Sequence, residues 1–167
     1  MRRLRFEPRL NEAVRHTVGE LNAKQTMELI CGGCLCGAVR YEASGTPYHI
    51  THCHCADCRR SAGAPFVTWA SFRQTAFRFT SGRPREFSWA GRVRSFCPAC
   101  GTPLTFRTGP ESEEVDITVC SFDQPEAISP GDHTWLEDRL RWIHLADGLP
   151  AYAQKRKSES GLRTKAK

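Results

Sequence analysis

The 167-residue sequence contains no apolar run longer than a few residues, far short of the roughly 20 that cross a bilayer as a helix. That excludes a helical membrane span. The opening stretch, MRRLRFEPRLNEAVRH, starts basic but leads into no apolar segment, so it does not read as a secretory signal. Glu7, Glu12 and Glu20 speak against a mitochondrial transit peptide, which is poor in acids. No Gly-rich loop follows a strand-like run, so a phosphate cradle has no support. No segment repeats. Aromatic residues are not scarce: nine Phe, four Trp and three Tyr are too many for a chain that stays unfolded. The expectation is one folded domain with appendages, in the cytoplasm.

Charge is unevenly spread. The whole chain carries +6, a value that by itself suggests nucleic acid or an anionic surface. Residues 1–27 carry +3, residues 151–167 carry +5, and the middle, 28–150, carries −2. The basicity therefore belongs to the ends. Leu10, Val14, Val18 and Leu21 stand at helical spacing in the N-terminal extension. The C-terminal stretch has almost no apolar content and reads as a disordered tail. Neither end interleaves aromatic residues with its charges, so base stacking is not expected. A nucleic acid or other acidic partner would meet the tails only through salt-sensitive electrostatics. A second reading follows from this: a zinc-scaffolded binding module whose basic tails reach an acidic partner.

The middle reads as mainly β. Short runs over 38–43, 48–53, 66–72, 76–80, 85–89, 92–96, 104–107 and 115–120 alternate apolar and polar residues, as in Val115-Asp116-Ile117-Thr118-Val119. Ser81-Gly82-Arg83-Pro84 and Ala90-Gly91 are turn signals between them. One short helix is expected over 57–62.

Nine cysteines are present, an odd number that a full disulfide set would not use up. Reduced cysteines at short spacings are metal ligands in the first instance. Seven of them fall into three groups: Cys34-Leu35-Cys36, Cys53-His54-Cys55-Ala56-Asp57-Cys58, and Cys97-Pro98-Ala99-Cys100-Gly101. The third is a zinc-knuckle sequence supplying two thiolates, and a structural zinc takes four ligands. Cys34 and Cys36 complete that set. Cys53, Cys55 and Cys58 remain, three thiolates with a coordination position left open, as in catalytic zinc sites. A fourth ligand from His52, His54 or Asp57 would close that site, although strand alternation turns His52 and His54 away from the cysteines. Cys31 could stand in for Cys34 or Cys36, but reads better as a pendant thiol. Cys120 ends an apolar strand and reads as a small buried hydrophobe.

The stretches Gly33-Cys34-Leu35-Cys36-Gly37-Ala38-Val39-Arg40-Tyr41, Cys53-His54-Cys55-Ala56-Asp57-Cys58-Arg59-Arg60-Ser61-Ala62-Gly63-Ala64 and Phe96-Cys97-Pro98-Ala99-Cys100-Gly101-Thr102-Pro103-Leu104 resemble the three motifs of the glutathione-dependent formaldehyde-activating enzyme family. Trp142-Ile143-His144-Leu145-Ala146-Asp147-Gly148-Leu149-Pro150 is similar to that family's ending. The resemblance covers about residues 30–150 and neither tail. It implies a zinc-containing β-tent of short antiparallel strands with two Zn²⁺ per chain. Cys34, Cys36, Cys97 and Cys100 would hold the structural ion. Cys53, Cys55 and Cys58 would hold the catalytic one. It also implies carbon–sulfur lyase chemistry, in which formaldehyde and glutathione join to S-hydroxymethylglutathione or separate again. Centromere protein V carries a related domain with a non-metabolic role, so membership specifies fold and metals more closely than substrate.

Glutathione has two carboxylates, so cations are expected near the second cluster. Arg59 and Arg60 directly follow it and are the first candidates for substrate binding. Phe66 and Trp69 could wall a pocket but read better as core packing, and His54 and Asp57 are candidates for groups that support the ligands or carry protons.

Overall fold

The structure, a computed structural model, describes residues 29–156. The helical pattern of the N-terminal extension and the last eleven residues of the basic tail lie outside the described residues. Ten strands run in chain order: β1 (Leu29–Gly33), β2 (Arg40–Ser44), β3 (His49–Cys53), β4 (Val67–Arg73), β5 (Phe77–Ser81), β6 (Arg85–Trp89), β7 (Arg92–Phe96), β8 (Pro103–Arg107), β9 (Glu114–Thr118) and β10 (Asp132–Thr134). One helix, α1 (Ala56–Ala62), and four short 3-10 turns complete the described part. The class is mainly β, as expected.

The strands form two sheets. One has the order β1-β2-β5, the other β10-β3-β4-β9-β8-β7-β6. All pairings are antiparallel except β10 with β3. The eight expected strands correspond to β2 through β9, with ends shifted by a residue or two. β1 and β10 were not legible. β1 is LICGG, and a Gly pair reads as a turn. Gly32 is nevertheless in a strand, paired with Tyr41 of β2, and it is glycine for packing: a Cβ there would run into the Tyr41 hydroxyl and the Ser121 carbonyl. β10 has three residues, Asp132, His133 and Thr134, all polar and all buried, a pattern no hydrophobic periodicity reveals.

The core lies between the sheets' inner faces. Tyr41, Phe72, Leu104, Ile117, Val39 and Val115 are its largest fully buried apolar side chains. Tyr41 meets the edges of Phe79 and Phe122, and its hydroxyl lies 2.5 Å from Ser121 Oγ, so its polar end is satisfied inside the core. Burial holds the phenol above its ordinary range. Cys34 and Cys97 belong to the same cluster, so the four-cysteine group is continuous with the core. Leu104 is completely buried, and Leu104→Ala is expected to cost about 2–5 kcal/mol, measured as a lower denaturant midpoint at unchanged slope.

Two sequence expectations change. Cys120 is exposed rather than buried. β9 ends at Thr118, and the 3-10 turn over Val119–Ser121 buries Val119 and turns Cys120 outward. Residues 151–156, assigned on composition to the tail, lie along β10: His133 N donates to Pro150 O and Tyr152 N to His133 O, both at 2.8 Å. Backbone hydrogen bonding recruits this segment without any need for apolar side chains.

Candidate metal centres and the adjoining cleft

The first cysteine group is assembled by two tight turns. Cys34 and Cys36 sit between β1 and β2, where Gly37 N donates to Cys34 O at 3.0 Å. Cys97 and Cys100 follow β7, in a turn closed by Gly101 N to Cys97 O at 2.9 Å. Gly101 has φ of +74°, a conformation that costs glycine little and other residues more. All four Sγ atoms lie within 4.8 Å of one another. Cys34 to Cys36 is 3.5 Å and Cys36 to Cys97 is 3.8 Å. A tetrahedral zinc with bonds of about 2.3 Å separates its sulfurs by about 3.8 Å, so this donor set fits that ion. Val39 N donates to Cys34 Sγ at 3.2 Å. The Thr102 hydroxyl and backbone hold the Cys100 thiol down to about 5. At Cys36 the Ala38 N–H favours the thiolate, but the sulfurs of Cys100 and Cys34 outweigh it and push the thiol up to about 11. Close thiolates repel, and a shared cation relieves that repulsion.

The second group lies where β3 passes into α1. Cys53 ends β3, Cys55 caps α1 and Cys58 stands in its first turn. Cys55 Sγ accepts from Cys58 N at 3.3 Å, and Asp138 accepts from Ala56 N at 3.1 Å. These two acceptors satisfy amides of the first helical turn. Gly63 closes the other end with φ of 61°. The three sulfurs lie within 4.8 Å of one another, and no His, Asp or Glu joins them in the cluster among the described residues. Trp69 Nε1 donates to Cys58 Sγ at 3.3 Å. Hydrogen bonds from Cys53 and Cys58 hold the Cys55 thiol far down, to about 2, while Cys53 is pushed up by Cys55, by Cys58 and by burial. The cluster therefore favours one thiolate shared by two thiols, and ionising all three calls for a cation. The chemistry of the donor set fits zinc here too.

His52 and His54 point away from these sulfurs, as strand alternation requires. His54 is fully buried, and burial holds its imidazole down to about 4. Asp147 accepts from His133 Nε2 at 3.0 Å, which leaves His133 Nδ1 to accept from His54 Nε2 at 3.0 Å. His54 Nδ1 has no hydrogen-bond partner among the described residues. His52 is bound to Thr68 at 2.8 Å. Phe66 packs on His52 and His54. This layer of rings backs the strand that carries Cys53. His133 was not singled out by the sequence, because a histidine isolated in sequence shows nothing of the register that sets it opposite His52.

Cys53, Cys55 and Cys58 border a cleft of about 650 Å³, to which none of the other four cluster cysteines contributes. Trp69, Phe106 and Trp135 are its aromatic walls. Trp135 has φ of 58°, a left-handed conformation that strains a bulky residue. It is held there by Trp135 N to Gln154 O and Leu136 N to Tyr152 O, each 3.0 Å. The segment over 150–156 thus fixes one wall of the cleft.

Neither Arg59 nor Arg60 borders the cleft. Arg59 Nε donates to the His54 carbonyl at 3.1 Å, which turns it back onto its own chain, and Arg60 is exposed on α1. The cations that do border it are Arg92, Arg94, Lys155 and Arg156. Val93 and Ser95 are buried, so strand alternation puts Arg92 and Arg94 together on the opposite face. That pattern was present in the sequence, but the strand order that brings it to the cysteines was not.

Two clusters of free thiols on a small β scaffold, one of them opening into a cleft, define a class of protein whose cysteines can hold metal ions. Within that class, residues 29–138 match the family described as glutathione-dependent formaldehyde-activating enzyme, and the chain belongs to it. It is 26% identical over 118 residues to a Schizosaccharomyces pombe protein called an uncharacterized lyase; the match covers 62% of this chain and 86% of that one. A crystal structure of a Rhodobacter sphaeroides protein is similar at 21% identity with a TM-score of 0.47, covering 73% of this chain and 98% of the other. No helix among the described residues is long and apolar enough to cross a membrane.

Proposed function

We propose that the chain is a zinc-dependent carbon–sulfur lyase acting on the adduct of a thiol and an aldehyde, with glutathione and formaldehyde as the reference pair. The observation that carries this reading is the contrast between the two clusters. Four thiols form a set joined to the core through Cys34 and Cys97, and three thiols border a cleft with no fourth ligand beside them among the described residues. The family and the name of the yeast relative support the same reaction type. On this reading Cys34, Cys36, Cys97 and Cys100 hold a structural zinc, and Cys53, Cys55 and Cys58 hold a reactive one.

A zinc ion on the three thiolates would leave a position for an exogenous thiol and favour its ionised form. The reaction makes or breaks one bond between sulfur and the aldehyde carbon; the thiol proton goes to the aldehyde oxygen in the forward sense and returns in reverse. The protein's own residues hold the site in shape. Trp69 Nε1 and Cys58 N each donate to a cluster sulfur, which favours the thiolate form. Trp69, Phe106 and Trp135 wall the cleft beside the cluster, and proximity supplies much of the rate.

The reading is tested by exchange NMR on a mixture of formaldehyde and glutathione. The zinc-loaded protein is expected to accelerate interconversion with S-hydroxymethylglutathione. A rate equal to that of the spontaneous reaction would reject this activity.

A further inference from the structure

The charges bordering the cleft sort by whether they already have partners. Arg92 is paired with Asp57 at 2.5 Å. Arg156 donates through Nε to the buried Asp132 at 2.6 Å. Asp138 accepts from the N-terminus of α1. Asp116 accepts from Ser71 Oγ, and burial holds it above the usual carboxylate range. Glu114 sits beside the Tyr48 hydroxyl.

Two cations remain. Arg94 has no carboxylate within salt-bridge distance among the described residues. Its guanidinium carbon lies 4.7 Å from the centre of the Phe106 ring, and its Nη2 lies 3.9 Å from Cys58 Sγ. The ring holds the fork in place beside the three-cysteine group while several of its five N–H donors stay free. Lys155 likewise has no carboxylate partner among the described residues. It stands on the segment that Gln154 and Arg156 anchor to Trp135 and Asp132. That segment lies beyond the residues matched by the family, 29–138.

We propose that Arg94 and Lys155 bind the carboxylates of the thiol substrate in this cleft, so that the site selects anionic thiols over neutral or cationic ones. The inference rests on the thiol–aldehyde chemistry proposed above. A guanidinium fork fixed on an aromatic face matches a carboxylate in two parallel hydrogen bonds. Its place beside Cys58 would set a substrate carboxylate and a substrate sulfur in one cleft. A point charge on a long stem suits the second carboxylate, which needs reach more than fixed geometry.

The test uses the zinc-loaded full chain with glutathione and with 2-mercaptoethanol, a neutral thiol that has no carboxylate and no amine to cyclise with the aldehyde. Arg94→Gln is expected to raise KM for glutathione roughly tenfold to 100-fold, the range for a lost charged hydrogen bond. Lys155→Ala is expected to raise it about threefold, as for an exposed ion pair. Both effects should shrink to less than about twofold with 2-mercaptoethanol, and Arg94→Lys should recover part of the loss. Zinc per chain, measured in parallel, separates substrate recognition from mere neutralisation of the Cys58 thiolate, which would alter metal content instead. Equal penalties on the two thiols overturn the inference. So does a wild-type protein that prefers 2-mercaptoethanol, though it leaves the thiol–aldehyde reading standing. If no thiol is turned over but glutathione binding, followed by NMR titration, is weakened by Arg94→Gln, the carboxylate site holds and the reaction falls. Absence of both turnover and binding overturns both.

Discussion

Cys53→Ser is expected to lower the zinc content from about two ions per chain to about one and to abolish acceleration of thiol–aldehyde exchange, while the fold persists. The cluster of Cys53, Cys55 and Cys58 borders a cleft and packs against Val67 and Trp69, apart from the main core. A zinc with three protein ligands loses affinity steeply when one is removed. Metal analysis and exchange NMR read the two effects separately. Two ions retained in the variant would remove the assignment of these thiols as ligands. One ion in the wild type, unchanged by Cys53→Ser, would remove the two-site reading altogether.

Cys97→Ser is expected to act on folding instead. Cys97 is completely buried in the core, and its sulfur is 3.8 Å from that of Cys36, 61 residues earlier in the chain. The four-thiol group thus ties the β1–β2 turn to the turn after β7. A structural zinc contributes its binding energy to the folded state alone. Loss of one of four ligands is therefore expected to cost more than about 4 kcal/mol, the range reserved for loss of a metal or of a buried network. Zinc removal by a chelator should give the same drop in thermal midpoint for the wild type. A Cys97→Ser protein that melts with the wild type and keeps both ions would contradict the structural role. The contrast with Cys53→Ser is the informative part: one cysteine variant should lose reaction with its fold intact, the other fold and reaction together.

The two clusters were legible in the sequence to different depths. The zinc-knuckle turn Cys97-Pro98-Ala99-Cys100-Gly101 is a local object, and its spacing alone makes the two thiolates converge. The strand alternation of β3 likewise separates Cys53 from His52 and His54 by neighbour-to-neighbour geometry. The choice of Arg59 and Arg60 as substrate-binding candidates used sequence nearness, and neither side chain borders the cleft. The turn of α1 carries Arg60 outward and folds Arg59 back to the His54 carbonyl. Arg94, 36 residues from Cys58 along the chain, reaches the cluster instead. Likewise, 151–156 looked like tail because composition reports apolar burial, and this segment is held by backbone hydrogen bonds to β10, Trp135 and Leu136.

What the sequence lacked at the outset, and the nine cysteines it has, thus decide different things. The sequence by itself determined a mainly β domain with seven thiols divided four and three, because ligand spacing and strand alternation are properties of adjacent residues. Only the tertiary structure decided that three of those thiols border a cleft, that Trp135 is held over it in a left-handed conformation, and that Arg94 and Lys155 border it with no carboxylate partner among the described residues. Those facts depend on strand order and on a late segment pairing with β10. They are set by contacts between residues far apart in the chain, which no local pattern records.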